Sequence, residues 1–225
     1  MKDLSRKRGA TKVLKLINGI NPTQFIPHTR EEGRKELKLK PTGKYLLTFG
    51  HTYINDRAYL LFKTFEYIYN IDPSIILLFN ENPEKIIKEQ GLEDKINKKI
   101  LKNIKTVGYI PQDKLGYYLG AADITIFLMG DADNERACFP IRIGSYLNGN
   151  AIIAINDINA EATNILKEYN CAIIEKDIKT LAEKIIIFLN NEHRQQQLKK
   201  KIKLVKKSLS WEYLIDDLIN FYHKI

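Results

Sequence analysis

Cysteine is scarce: Cys138 and Cys171 are the only two in the chain. Two are too few for a disulfide framework, and no Cys/His spacing fits a zinc site. No apolar run approaches the roughly 20 residues that cross a bilayer. The basic N-terminus, Met1 to Lys12, has no apolar stretch behind its charges, so it does not read as a secretory signal. Fixed-period repeats, low-complexity segments and recognised nucleic-acid motifs are lacking as well. These absences lead to the expectation of a reduced, cytoplasmic setting.

What is present fits one large domain. The chain has 225 residues, 44% of them hydrophobic and 28% charged, in the range of globular proteins. Residues 1–12 read as a lead-in, 13–208 as the domain, and 209–225 as a C-terminal helix packing on or beyond it. The net charge of +9 favours phosphate-bearing ligands, nucleic acid or anionic lipid, and equally describes a lysine-rich solvated surface. Much of the charge sits between Arg194 and Lys207, where Leu198, Ile202 and Val205 line one face. A solvated helix with a narrow core stripe accounts for this pattern. An amphipathic basic helix lying on the inner face of a membrane is the alternative.

Apolar runs at Tyr45–Phe49, Ile75–Phe79, Ile124–Met129, Ala151–Ile155 and Cys171–Ile174 predict strands, and Val107–Pro111 predicts a short strand and turn. Unbroken apolar strands suit a parallel sheet covered on both faces. Helical spacing is expected between them: a short charged helix over Thr29–Leu39, a helix after Asp56 as its cap, polar helices over Glu84–Gln90 and Glu93–Leu101, and a helix from Gln112. Further helices are expected over Pro140–Leu147, over Glu161–Tyr169, from a Thr180–Glu183 capping box, and from Ser210 with Trp211, Leu214, Leu218 and Tyr222 facing the core. The expected fold is α/β: a doubly wound, mostly parallel, Rossmann-like sheet with helices on both faces and a C-terminal helix.

The stretch Asp131–Ala154 organises the chain. It reads as a polar loop holding Glu135, then Phe139-Pro140, a short helix, Gly149 and a strand. Such a loop lies at the carboxyl end of a strand and faces a helix N-terminus, where open α/β sheets bind ligands and backbone amides favour phosphate. Taken alone, Glu135 is also an ordinary loop carboxylate and Pro140 an ordinary helix starter.

This stretch resembles the donor-site segment of retaining glycosyltransferases of family 4 (group 1), which have two Rossmann-like domains in the GT-B arrangement. The family pattern of Glu, a Phe/Gly-rich bend, Pro, a small-residue helix, Gly and a strand is matched by Glu135, Phe139, Pro140, Gly149 and Ala151–Ala154. A second match, Asn18-Gly19-Ile20-Asn21 followed by Phe25-Ile26-Pro27, resembles the start of that family's second domain. The resemblance covers Val13 to Tyr222 and only the donor-binding half of such an enzyme.

Several positions depart from the family. Its second Glu falls on Ile143, Gly144 or Ser145, and no carboxylate occurs between Glu135 and Asp157. Its Gly-Arg turn and the following Lys fall on His51 and Asp56, with Arg57 adjacent; each also reads as a surface loop residue. The glycines of a further loop are missing at Asn80-Glu81-Asn82-Pro83.

The resemblance implies binding of a nucleotide diphosphate sugar for retaining glycosyl transfer, with no metal and no cofactor. Glu135 is then the candidate catalytic residue, facing the donor sugar. Phe139, Pro140 and Ile141 hold diphosphate at the helix start, with Ile143 and Ser145 beside them on the same helix. His51 or Arg57 adds charge, and Gly108, Tyr109 and Ile110 line the base. The expected partners are the nucleotide-sugar donor, a separate acceptor-domain protein, or a second copy of the chain. Nucleic acid is not expected. The alternative reading is a degenerate, non-catalytic Rossmann-like subunit of a transferase complex.

Overall fold

A computed structural model of the protein describes residues 2–50 and 56–223. Its elements run α1 (Lys2–Lys7), α2 (Arg30–Glu36), β1 (Tyr45–Thr48), α3 (Arg57–Ile71), β2 (Ile76–Phe79), α4 (Pro83–Glu89), β3 (Ile104–Thr106) and α5 (Leu115–Ala121). Then follow β4 (Ile124–Phe127), α6 (Asp133–Arg136), α7 (Ile141–Asn148), β5 (Ile153–Asn156), α8 (Glu161–Glu168), β6 (Ala172–Glu175), α9 (Ile178–Leu189), α10 (Glu192–Ser208) and α11 (Trp211–Tyr222).

The six strands form one parallel sheet in the order β3-β2-β1-β4-β5-β6. Strand order therefore reverses between β1 and β4, which makes the crevice beyond their carboxyl ends the place where such a sheet takes ligands. All four residues of β1, of β4 and of β5 are buried. Helices cover both faces, with α3 packed on α9 and α5 packed on α2. The fold is the Rossmann-like α/β arrangement that the alternation of apolar runs predicts.

Local chemistry explains most element ends and corrects several expectations. Thr29 caps α2 in a complete capping box with Glu32. Asp56 precedes α3 in the left-handed region, at φ 61°, and its side chain makes no cap. Asp177, not Thr180, caps α9, because Thr180 supplies the amide that Asp177 accepts. Ser210 likewise makes no cap for α11, since its hydroxyl donates to the Lys207 carbonyl. The expected helix over Glu93–Leu101 is only turns and a 3-10 segment, Lys98–Asn103.

The third strand is Ile104–Thr106, three residues earlier than Val107–Pro111. An edge strand with Lys105 and Thr106 exposed lacks the apolar run that marks a central one. The largest correction concerns α11. Leu198, Ile202 and Val205 of α10 are buried as expected, whereas α11 buries no residue. Trp211 is 42% and Tyr222 67% exposed. This helix is tied to the domain through Ile20, whose N–H donates to Leu209 and whose carbonyl accepts from Trp211.

Candidate functional site

The crevice is built from the ends of β1 and β4 and from the starts of α3 and α7. Beyond β4 the backbone at Met129 is clamped by the last residue of β5. Asn156 accepts from the Met129 N–H at 2.7 Å and donates to its carbonyl at 2.8 Å. The next amide, that of Gly130, donates to Glu135 Oε2 at 2.9 Å.

Glu135 is not in a loop. It lies in the helical turn α6 and is 2% exposed. Arg57, the first residue of α3, reaches the same oxygen, with Nε at 3.1 Å and Nη2 at 2.9 Å. A nearly buried carboxylate is thus paired with a guanidinium and a backbone amide, the combination that makes such burial tolerable.

A second cation stands beside the pair. Arg142, in the first turn of α7, donates to the Phe49 carbonyl at 2.6 Å. The guanidinium carbons of Arg142 and Arg57 lie 4.7 and 5.6 Å from the centre of the Phe127 ring, so both cations share one aromatic face-giver at the end of β4. Burial lowers the proton affinity of Arg142, and it pushes the Tyr146 hydroxyl behind it up to about 12. Cys138 is raised first by burial and then by the charge of Glu135.

Helix α7 starts without a side-chain cap, because Pro140 occupies the N-cap position. The Ile143 N–H donates to the Pro140 carbonyl at 3.0 Å, which leaves the amides of Ile141 and Arg142 at the positive end of the helix dipole. Phe139 is buried, and its carbonyl accepts from Asn18 Nδ2 at 2.8 Å. Ile141 is 69% exposed at the rim. Ser145, on the same side of α7, lines a cavity of about 290 Å³ with Asn18, Gln24, Gln112, Gly144 and Trp211. Ile143 is fully buried, so its side chain offers no surface to a ligand. An apolar residue here completes the core beneath the helix instead of facing the crevice.

Gly108, Tyr109 and Ile110 follow β3, at the same end of the sheet. Gly108 has φ +70°, and Tyr109 is 85% exposed. Three strand spacings separate this turn from β4, roughly 14 Å. His51 lies outside the described residues.

The structure therefore brings Glu135, Arg57, Phe139, Pro140 and Ile141 to one end of the β1–β4 crevice and leaves Gly108 to Ile110 at the same sheet end, roughly 14 Å from β4. Sequence reasoning missed Arg142, Gly130 and the Asn156 clamp. Arg142 carried one signal: a cation in the first turn of a helix opposes the helix dipole and so calls for another explanation.

The chain matches no family model and no curated protein. Solved structures do resemble it. Sucrose-phosphate synthase of Thermosynechococcus elongatus superposes with a TM-score of 0.70 and 16% identity, over 99% of this chain and 56% of that one. Staphylococcus aureus TarM, solved with fondaparinux, alpha-GlcNAc-glycerol and UDP, gives 0.68 and 13%, over 98% of this chain and 41% of that one. The isolated C-terminal domain of LpcC, a group 1 glycosyl transferase of Francisella tularensis, gives 0.62 and 12%, over 86% of this chain and 100% of that domain. The chain spans about half the length of the first two and is similar in extent to the third. These likenesses establish the fold.

Proposed function

We propose that this chain is the donor-binding domain of a retaining glycosyltransferase and takes a nucleotide diphosphate sugar. The observation that carries this reading is the pairing of Glu135 with Arg57 at the strand-order reversal, beside an uncapped helix start. A diphosphate is held by cations and by helix N-terminal amides, and both are assembled there. The likeness to glycosyltransferase domains in the solved structures supports the same reading.

In this reading the diphosphate settles on the α7 amides and draws Arg57 toward itself. Glu135 then exchanges a guanidinium for the donor sugar, whose anomeric carbon gains positive charge as the bond to the diphosphate breaks. The carboxylate stabilises that charge, and the cations stabilise the departing diphosphate. The residues Gly108 to Ile110 line the base. No metal takes part, and the acceptor comes from a separate domain or chain. The setting is cytoplasmic.

A second reading rests on Ile143, Gly144 and Ser145, none of them a carboxylate, one of which stands where the resembling family has a carboxylate for the donor ribose; Ile143 is moreover fully buried. It makes the chain a non-catalytic subunit of a transferase complex. Thermal melting with nucleotide diphosphates, nucleotide sugars and pyrophosphate separates the two. A ligand that binds the native state raises the midpoint by mass action. A dose-dependent rise with one nucleotide sugar is the expected result. No rise at millimolar ligand overturns donor binding and leaves the subunit reading.

A further inference from the structure

Arg142 is the second residue of α7, where a cation opposes the helix dipole. Its guanidinium is partly buried, and burial lowers its proton affinity. A guanidinium has five N–H donors. Among the described residues only the bond to the Phe49 carbonyl uses one, and Arg142 forms no ion pair there. Tyr146, Glu135 and Glu81 act on it through space, and Arg57 repels it. A half-buried cation without a carboxylate partner costs stability, so its retention points to a partner that arrives from outside.

The side chain also has a specific path. It lies across the backbone of Gly50, where an added Cβ would meet Nη1 at 2.8 Å and Cδ at 2.9 Å. Gly50 has φ +90°, a second reason for glycine there. The guanidinium is thus delivered to the turn after β1 from the far side of the crevice, by α7.

We propose that Arg142 is a diphosphate-binding residue, which brings a guanidinium from α7 to the backbone at Phe49 and Gly50. The inference rests on the donor-site reading above. With Arg57 it forms a two-guanidinium grip over the Phe127 ring, each able to offer a forked pair of N–H groups to phosphate oxygens.

The test is calorimetric titration of the full chain with pyrophosphate, UDP, GDP and ADP, for the wild type, Arg142→Gln, Arg142→Lys and Arg57→Gln, together with melting of each protein without ligand. Arg142→Gln is expected to weaken the diphosphate that the wild type binds by about tenfold to a hundredfold, the worth of a hydrogen bond to a charged group. Arg142→Lys recovers part of that loss. The ligand-free midpoint of Arg142→Gln stays within about 3 °C of the wild type, a shift of roughly 1 kcal/mol at this chain length. Unchanged affinity in Arg142→Gln, beside a loss in Arg57→Gln, overturns this inference and leaves the donor site standing. A collapse of the ligand-free midpoint assigns Arg142 a structural role and also overturns it. Failure of the wild type to bind any of the four probes overturns both readings.

Discussion

Arg57 and Glu135 meet through two nitrogens on one oxygen: Nε and Nη2 of the arginine lie 3.1 and 2.9 Å from Oε2. The carboxylate that is the candidate catalytic group is therefore also the anchor between the start of α3 and the turn α6. Under the proposed function, binding and stability are coupled at this pair.

Substitution at Glu135 tests that coupling. Glu135→Gln keeps the shape and an acceptor for Gly130 but leaves the Arg57 guanidinium, 14% exposed, without its charge partner. The expected cost is about 2 kcal/mol, or roughly 4–8 °C in melting temperature. A pure surface site residue would show no such loss, so an unchanged midpoint by scanning fluorimetry would sink the structural half of this account.

The ion pair between Asp72 and Lys44 sets a pH dependence. The hydrogen bond from Lys44, followed by that from Ser74, lowers the Asp72 pKa from 3.8 to about 2. The unfolded chain takes up this proton first as pH falls. The stabilisation is then fully present above 3.8 and is lost on acidification toward 2. Asp72→Asn is expected to cost about 1–2 kcal/mol at neutral pH, after allowance for partial exposure, and roughly half of that at pH ~3. Urea unfolding of both proteins at the two pH values checks the sign.

Gly33 defies its helix propensity. An alanine in α2 would gain about 1 kcal/mol from propensity alone. A Cβ at Gly33, however, would stand 2.4 Å from the Tyr117 carbonyl oxygen and 2.6 Å from the Ala121 nitrogen, both backbone atoms of α5. The helices must separate, and Gly33→Ala is expected to lower the unfolding free energy by about 2 kcal/mol net. Lys35→Ala, exposed on the same helix, is the control and should change it by less than about 0.5 kcal/mol.

Thiol chemistry reports on the core. Burial pushes the Cys171 thiol up to about 12, and Cys138 is raised by burial and by Glu135. Both are poor nucleophiles at pH ~8, because the thiolate is the reactive form. Ellman's reagent is expected to react slowly at the half-buried Cys138 and not at Cys171 until denaturant is added, when both react at once. Prompt reaction of Cys171 in the native protein would contradict the packing of β6.

The sequence by itself determined the alternation of strands and helices and the parallel, doubly wound sheet. Runs such as Leu46-Leu47 and Ile152–Ile155 have no polar face and can only be buried on both sides. It determined the placing of Glu135 and Pro140 near a strand end, because a polar stretch after such a run must leave the sheet. Local patterning could not place β3, whose edge position removes the need for an apolar run, nor deny α11 its core. The apolar spacing of Trp211 to Tyr222 is the same whether or not a surface exists to receive it. Only the tertiary structure decided that Ile143 turns inward and that Arg57, Arg142 and Glu135 converge. Their positions are set by the order β3-β2-β1-β4-β5-β6, which brings β1 beside β4 across 78 residues of chain between Arg57 and Glu135. Contacts so distant in sequence arise from the packing of whole elements, and no window of neighbouring residues contains them.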